Sequence, residues 1–216
     1  MATIVLLNSG GLDSAMLAKK LNDDGHVIRS LFVNSHQLNS VATGVAAAET
    51  ATRFCDSHVV FDYDLGQTSN AIMHGTTLEF HAYDAAVANG KWAQYLANRS
   101  DWVLSTVPSL LIAIFGVGFG YAMLNGVQEV HSALRGGMVG PNWLDMLGTI
   151  QHEELFPQWH PTPVLDVAAL TGYAEVATWA GVADITTLEY THSCKEDPPC
   201  QVCAKCVARN ALGMEY

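Results

Sequence analysis

The sequence predicts an α/β protein: a doubly wound, mostly parallel sheet covered by helices, with a small C-terminal appendage. Three observations predict it. Short apolar runs alternate with helix-length patterned segments along most of the chain. A strand, a helix and a second strand are complete by residue 33, the length a βαβ crossover needs. From residue 191 the composition changes to Cys, Pro and Lys.

Each element has a local reason. Residues 2–7 (ATIVLL) are an apolar run ending at Leu7, the first strand. Residues 12–22 carry apolar positions at Leu12, Ala15, Met16 and Leu21, a helical spacing stopped by Asp24-Gly25. Residues 26–33 (HVIRSLFV) read as the second strand, 40–54 as an Ala-rich helix and 57–61 (SHVVF) as a third strand. Residues 66–100 read as an insert with helical pieces, 107–125 as a buried helix and 127–133 as a fourth strand. A loop is expected at 136–142. Helices are expected at 143–153 and 168–180, with the Pro-rich HPTPVL between them, and a short strand at 184–188. The expected division is an α/β domain over 1–190 and a cysteine-bearing segment over 191–216.

Composition narrows the partners. The chain has 216 residues, half of them apolar, and a net charge of −11. That charge excludes nucleic-acid and anionic-membrane binding as bulk properties, since both reward a basic surface. A small anionic ligand remains compatible, held by backbone N–H groups and a few cations. The N-terminus runs into a strand without a basic leader, so a cytoplasmic location is expected. Residues 103–123 carry no charge, long enough for a membrane span. They also carry Ser105, Thr106, Pro108 and three spaced glycines and lack a Lys/Arg-rich flank. A buried helix is the expectation, either in the core or at a homodimer seam.

Two motifs carry chemistry. The first is Ser9-Gly10-Gly11-Leu12-Asp13-Ser14, directly after the first strand. Two glycines let backbone approach a ligand closely, and the following helix aims its N–H groups at an anion. Ser9 and Ser14 add hydroxyls. Asp13, expected as an acidic N-cap, repels phosphate unless Mg²⁺ lies between them. The plain alternative is a tight turn and cap, common in any βαβ unit. The second motif is Cys194-x5-Cys200-x2-Cys203-x2-Cys206. Four thiols at this spacing match a closed, structural zinc site, with an iron–sulfur cluster or a disulfide pair as alternatives. Lys195, Lys205 and Arg209 are placed to offset its negative charge. Cys55 stands apart as a core residue.

Ser-Gly-Gly-x-Asp-Ser after an N-terminal strand resembles the PP-loop of ATP pyrophosphatases. That family adenylates a carboxyl or carbonyl oxygen, releases pyrophosphate and lets a nucleophile displace AMP. Adding Thr191-His192-Ser193-Cys194, the three later cysteines and Arg209, the chain resembles the 7-cyano-7-deazaguanine (preQ0) synthases, the QueC family. The resemblance implies ATP-dependent activation of 7-carboxy-7-deazaguanine, amide formation with ammonia, and dehydration to the nitrile. It implies Zn²⁺, ATP and Mg²⁺ as cofactors. It places Leu7, Ser9, Gly10, Gly11, Asp13 and Ser14 at the nucleotide, with Asp13 and Ser14 in catalysis; position in the fold adds His36, just past the second strand where an adenine should sit, and Arg135 as a catalytic cation at the carboxyl edge of the sheet.

The middle of the chain departs from that family. Asn34-Ser35-His36-Gln37 stands where the family has a Tyr-Gly-Gln-like segment. Val107-Pro108-Ser109-Leu110-Leu111 lacks the family's Arg and Asn. Thr162-Pro163-Val164 is present, yet residues 165–180 contain no Lys or Arg. The departures raise two alternatives: transfer of the activated deazapurine to an amine of a protein partner, or a non-catalytic nucleotide-binding subunit. Arg135-Gly136-Gly137, with Asn142 and Asp145, follows the fourth strand and offers a cation at the ligand-binding edge of the sheet. His131 is expected to face the core. Trp159-His160 offers a stacking surface, and Phe80-His81-Ala82-Tyr83 has no assigned role.

Overall fold

A computed structural model describes residues 1–36, 39–63, 113–135, 161–194, 197–202 and 204–214. The elements are β1 (Thr3–Leu7), α1 (Leu12–Asp23), β2 (Val27–Asn34), α2 (Ser40–Phe54), β3 (Ser57–Asp62), a helix over residues 113–124 (α3), β4 (Glu129–Ser132), β5 (Thr162–Val164), α4 (Tyr173–Trp179), a 3₁₀ turn (Ile185–Leu188) and α5 (Ala204–Asn210).

The sheet order is β3-β2-β1-β4-β5, and every pair is parallel. This is the doubly wound order in which the chain reverses direction across the sheet between β1 and β4. Ligands in such sheets bind at the carboxyl ends of the strands flanking that reversal. The β1–α1 turn lies there.

Strand alternation explains the two layers. Ile4 and Leu6 face α1, packing with Leu17, Ala18, Leu21 and Ile28. Val5 and Leu7 face the other way, packing with Leu31, Val130 and α3 residues Phe115 and Ala122. With both faces covered, β1 reads as an unbroken apolar run. The α3 helix comes close because of Gly118: a Cβ there would stand 2.8 Å from Leu7 Cδ2 and 3.2 Å from Val130 Cγ1. The described part of the uncharged stretch is thus a core helix, and no helix among the described residues is long and apolar enough to cross a membrane.

Four expectations are corrected. The strand expected at 184–188 is a 3₁₀ turn, because Asp184 accepts from both the amide and the hydroxyl of Thr186. This local capping outweighs the β-propensity of Ile-Thr-Thr. The Pro-rich segment supplies a fifth strand, β5, whose Pro163 is tolerated because β5 is the sheet edge. The helix expected from 168 starts at Tyr173, behind Gly172. The N-cap of α1 is Gly11, and Asp13 lies in its first turn. The expected insert at 66–100, the loop at 136–142 and the helix at 143–153 lie outside the described residues.

His131 faces the core as expected and is buried. Its Nδ1 lies 2.9 Å from Asp166 and its Nε2 3.2 Å from Glu129. Burial acts to lower its pKa, but the two carboxylates outweigh it and the net shift is upward. A raised folded-state pKa adds stability that is complete below the unfolded value of about 6.5 and is lost as pH rises through the folded value. Chemical denaturation across that window is expected to show wild type losing stability relative to His131→Gln as pH rises. A constant difference contradicts the imidazolium bridge.

Candidate functional site

The turn after β1 is held from below by Asn8, a residue the sequence reading did not single out. Its buried amide donates to Ser30 Oγ at 3.0 Å and to the Ala47 carbonyl at 2.9 Å, and its Oδ1 accepts from Gly10 N–H at 3.1 Å. Its signal was a polar residue closing an apolar strand. Gly10 has φ +72, and a Cβ on it would stand 2.1 Å from the Thr43 carbonyl oxygen. Only glycine fits there. Gly11 is extended, with φ −83 and ψ 164. A Cβ on Gly11 would meet Ser9 Oγ at 3.3 Å and Ser193 Oγ at 3.6 Å, close but not forbidden.

Ser9 and Ser14 close the loop on itself. Their hydroxyls are 2.8 Å apart, and Ser14 Oγ also accepts from Ser9 N–H at 3.3 Å. A helix leaves its first amides without intrahelical partners. In α1 the first, Leu12 N–H, donates to Ser193 Oγ at 3.1 Å. Among the described residues, no acceptor meets the next two, of Asp13 and Ser14. These two donors, with the positive end of the helix behind them, suit an anion.

Arg135 reaches the same turn from beyond β4. Its Nε and Nη2 each lie 3.1 Å from Asp13 Oδ2. Its Nη1 donates to the Thr171 carbonyl at 2.8 Å, and its guanidinium lies 4.7 Å over the Tyr173 ring. Asp13 Oδ1 is buried and has no hydrogen-bond partner among the described residues. Burial raises the Asp13 pKa, and Arg135 and then Lys205 pull it partly back. Lys205, on α5, is therefore a second cation near the loop, where its sequence position suggested only the cysteines. Tyr173, buried at the start of α4, has its pKa raised, first by burial and next by the charge of Asp13.

The other candidates fall in different places. The Leu7 side chain belongs to the core beneath α3. His36, at φ 56, sits past β2 with Nε2 3.6 Å from Asp62 Oδ1, and no contact among the described residues joins it to the turn. Arg209 is fully buried and donates to Thr191 Oγ1 at 2.5 Å and to the Glu189 carbonyl at 2.8 Å. It therefore braces the entry to the cysteine segment. Lys195, Cys203, Asn142, Asp145, Trp159, His160 and Phe80 to Tyr83 lie outside the described residues.

The cysteines converge. The Sγ atoms of Cys194, Cys200 and Cys206 all lie within 4.8 Å of one another. Cys194 and Cys200 sulfurs are 3.6 Å apart, and Cys200 and Cys206 sulfurs 4.0 Å. Tetrahedral thiolates at a Zn–S distance of about 2.3 Å stand about 3.8 Å from each other, so this donor set fits zinc. Cys200 N–H donates to Cys194 Sγ at 3.3 Å, a backbone bond that orients this sulfur. Cys55 is half-buried, its thiol pushed up to about 12 by burial and then by Asp56, and it lies outside the cluster of sulfurs.

No family model matches this chain, and no curated protein does. Among solved structures it is similar to one titled as a predicted subunit of tRNA methyltransferase from Methanocaldococcus jannaschii. The TM-score is 0.45 and the identity 16%, over 84% of this chain and 75% of that one. A likeness that remote carries no functional weight. The doubly wound fold rests on the strand order itself.

Proposed function

We propose that this chain is an ATP-using enzyme of the PP-loop kind that activates a deazapurine carboxylate, 7-carboxy-7-deazaguanine by resemblance. The carboxylate oxygen attacks the α-phosphorus of ATP, giving an acyl adenylate and pyrophosphate. Ammonia or another amine then displaces AMP and leaves an amide. A second adenylation, on the amide oxygen, followed by loss of AMP and a proton, yields the nitrile. The observation that carries the reading is the β1–α1 turn: at the reversal of the sheet, two helix amides unclaimed among the described residues meet a half-buried carboxylate and an arginine.

Each residue has a role. Gly10 sets the turn, and Gly11 leaves room for a phosphate to approach. The amides of Asp13 and Ser14 hold phosphate oxygens. Asp13 Oδ1 is the oxygen available to Mg²⁺, which would screen the phosphate charge. Arg135 and Lys205 neutralise charge on the leaving pyrophosphate. No nucleophilic side chain is needed, since positioning an acyl adenylate next to an amine suffices. The cysteine segment holds zinc in a structural role, because four thiolates, with Cys203 as the fourth, leave no open position.

Exchange of labelled pyrophosphate into ATP, dependent on the acid, tests the activation step. Asp13→Asn is expected to lower that exchange by about 100-fold or more. It is also expected to leave thermal stability unchanged or higher, because burial already disfavours the charge of Asp13. Full exchange in the variant contradicts the metal role.

The absence of Lys and Arg from residues 165–180 favours a second reading, with the same activation and a different acceptor. There the activated deazapurine passes to an amine of a protein partner and stops at the amide. Mass spectrometry separates a free nitrile from a mass added to protein. ATP binding without exchange marks a non-catalytic subunit.

A further inference from the structure

The C-terminal segment touches the first turn of α1 through consecutive residues. His192 N–H donates to the Gly10 carbonyl at 2.9 Å. Ser193 Oγ accepts from Leu12 N–H at 3.1 Å. The Cys194 carbonyl accepts from Asn39 Nδ2, at the start of α2, at 2.7 Å. Residues Thr191 to Cys194 are all buried. The α1 N-cap is Gly11, which has no side chain to cap with, and no side-chain cap bond is made from that position. An uncapped first turn frays, and a hydroxyl at the cap holds it. Here the hydroxyl comes from 181 residues away in sequence.

We infer that Ser193 is a positioning residue of the anion site, held in place by the metal-binding Cys194 beside it. The inference rests on the nucleotide reading above and adds its regulation. Gly11 must lack a side chain if a phosphate is to approach, so the cap is supplied by another segment. Ser193 holds the Leu12 amide, leaving the Asp13 and Ser14 amides for an anion. Metal occupancy at the cysteines thereby sets the geometry of the turn through Ser193 and His192. The competing possibility is that Ser193 plugs the site, and it predicts the opposite sign.

The full-length chain tests this with titration calorimetry for Mg-ATP, metal analysis, thermal melts and hydrogen exchange over residues 9–14. Ser193→Ala is expected to keep its metal and its melting temperature within a few degrees. It is expected to bind Mg-ATP about tenfold more weakly, the loss of one hydrogen bond's worth of positioning. Ser193→Thr, which keeps the hydroxyl, is expected to restore most of that affinity. Chelating the metal from wild type is expected to speed exchange over residues 9–14 and weaken Mg-ATP by a similar factor. Chelation of Ser193→Ala is expected to add little. If chelation unfolds the chain, Asn39→Ala cuts the Cys194 tether with the thiols intact, and it is expected to reproduce the faster exchange.

Equal or tighter Mg-ATP binding by Ser193→Ala overturns the inference, as does exchange over residues 9–14 that ignores both metal removal and Asn39→Ala. Wild type that binds no Mg-ATP overturns the nucleotide reading instead. In that case the exchange data alone decide the link between metal and turn, faster exchange supporting it and unchanged exchange removing it.

Discussion

Gly10→Ala is expected to lower stability by about 3–5 kcal/mol and to abolish Mg-ATP binding. Two penalties coincide at this position. The φ of +72 is strained for any L side chain, and the added Cβ would stand 2.1 Å from the Thr43 carbonyl oxygen. That oxygen is backbone in α2, so no rotamer change relieves the clash. Either α2 moves as a body or the turn leaves its conformation, and either movement breaks the bonds that Gly10 N–H donates to Asn8 Oδ1 and that His192 N–H donates to the Gly10 carbonyl. In a chain of this size the loss corresponds to a melting temperature about 10 °C lower. Gly11→Ala is the informative control. Its backbone is already extended and its nearest contact, Ser9 Oγ at 3.3 Å, is a side chain that can turn. It is expected to fold with a cost of about 1 kcal/mol while losing Mg-ATP affinity, because its methyl group occupies the phosphate's approach. Melts and calorimetry on the pair separate a structural glycine from a binding one. Loss of stability in both, with affinity following stability, contradicts that separation.

The second large effect is at the cysteines. Cys206→Ser is expected to remove bound zinc and to lower stability by about 3 kcal/mol or more, since metal binding by such a segment is part of its folding free energy. Cys206 is fully buried, so the variant also leaves a hydroxyl among sulfurs that no longer share an ion. Cys203→Ser is expected to match it if the site is a tetrathiolate. Cys55→Ser is expected to retain full metal content, because its thiol lies outside the cluster. Metal analysis with chemical denaturation checks all three. Wild type that carries no metal and loses no stability on chelation contradicts the metal assignment.

The first four elements were legible nearly to the residue, because their signals are local. Apolar runs end at Leu7 and near Asn34, and Asp24-Gly25 stops α1. Later elements were less legible where local patterns conflict with tertiary need. Pro163 argues against a strand, but not against an edge strand. Ile185 to Leu188 argues for a strand until Asp184 claims Thr186.

The candidate site divides in the same way. Ser9, Gly10, Gly11, Asp13 and Ser14 were visible because a turn is contiguous in sequence. Arg135 was visible because the carboxyl end of any strand beside the reversal is a ligand edge. Asn8 acts through β2 and α2, Tyr173 from α4, and Ser193 and Lys205 from the far end of the chain. No single-sequence pattern announces such pairings. His36 was drawn in by its position after β2, and its described contacts lead to Asp62 and Asn34 instead.

The most direct measurement is a backbone-amide NMR titration of the zinc-loaded chain with Mg-ATP. Saturable shifts are expected first at the amides of Asp13 and Ser14, with smaller ones at Gly11 and at the Arg135 side chain. Shifts confined to other parts of the chain, or none at millimolar Mg-ATP, would contradict the assignment of this turn as the phosphate site.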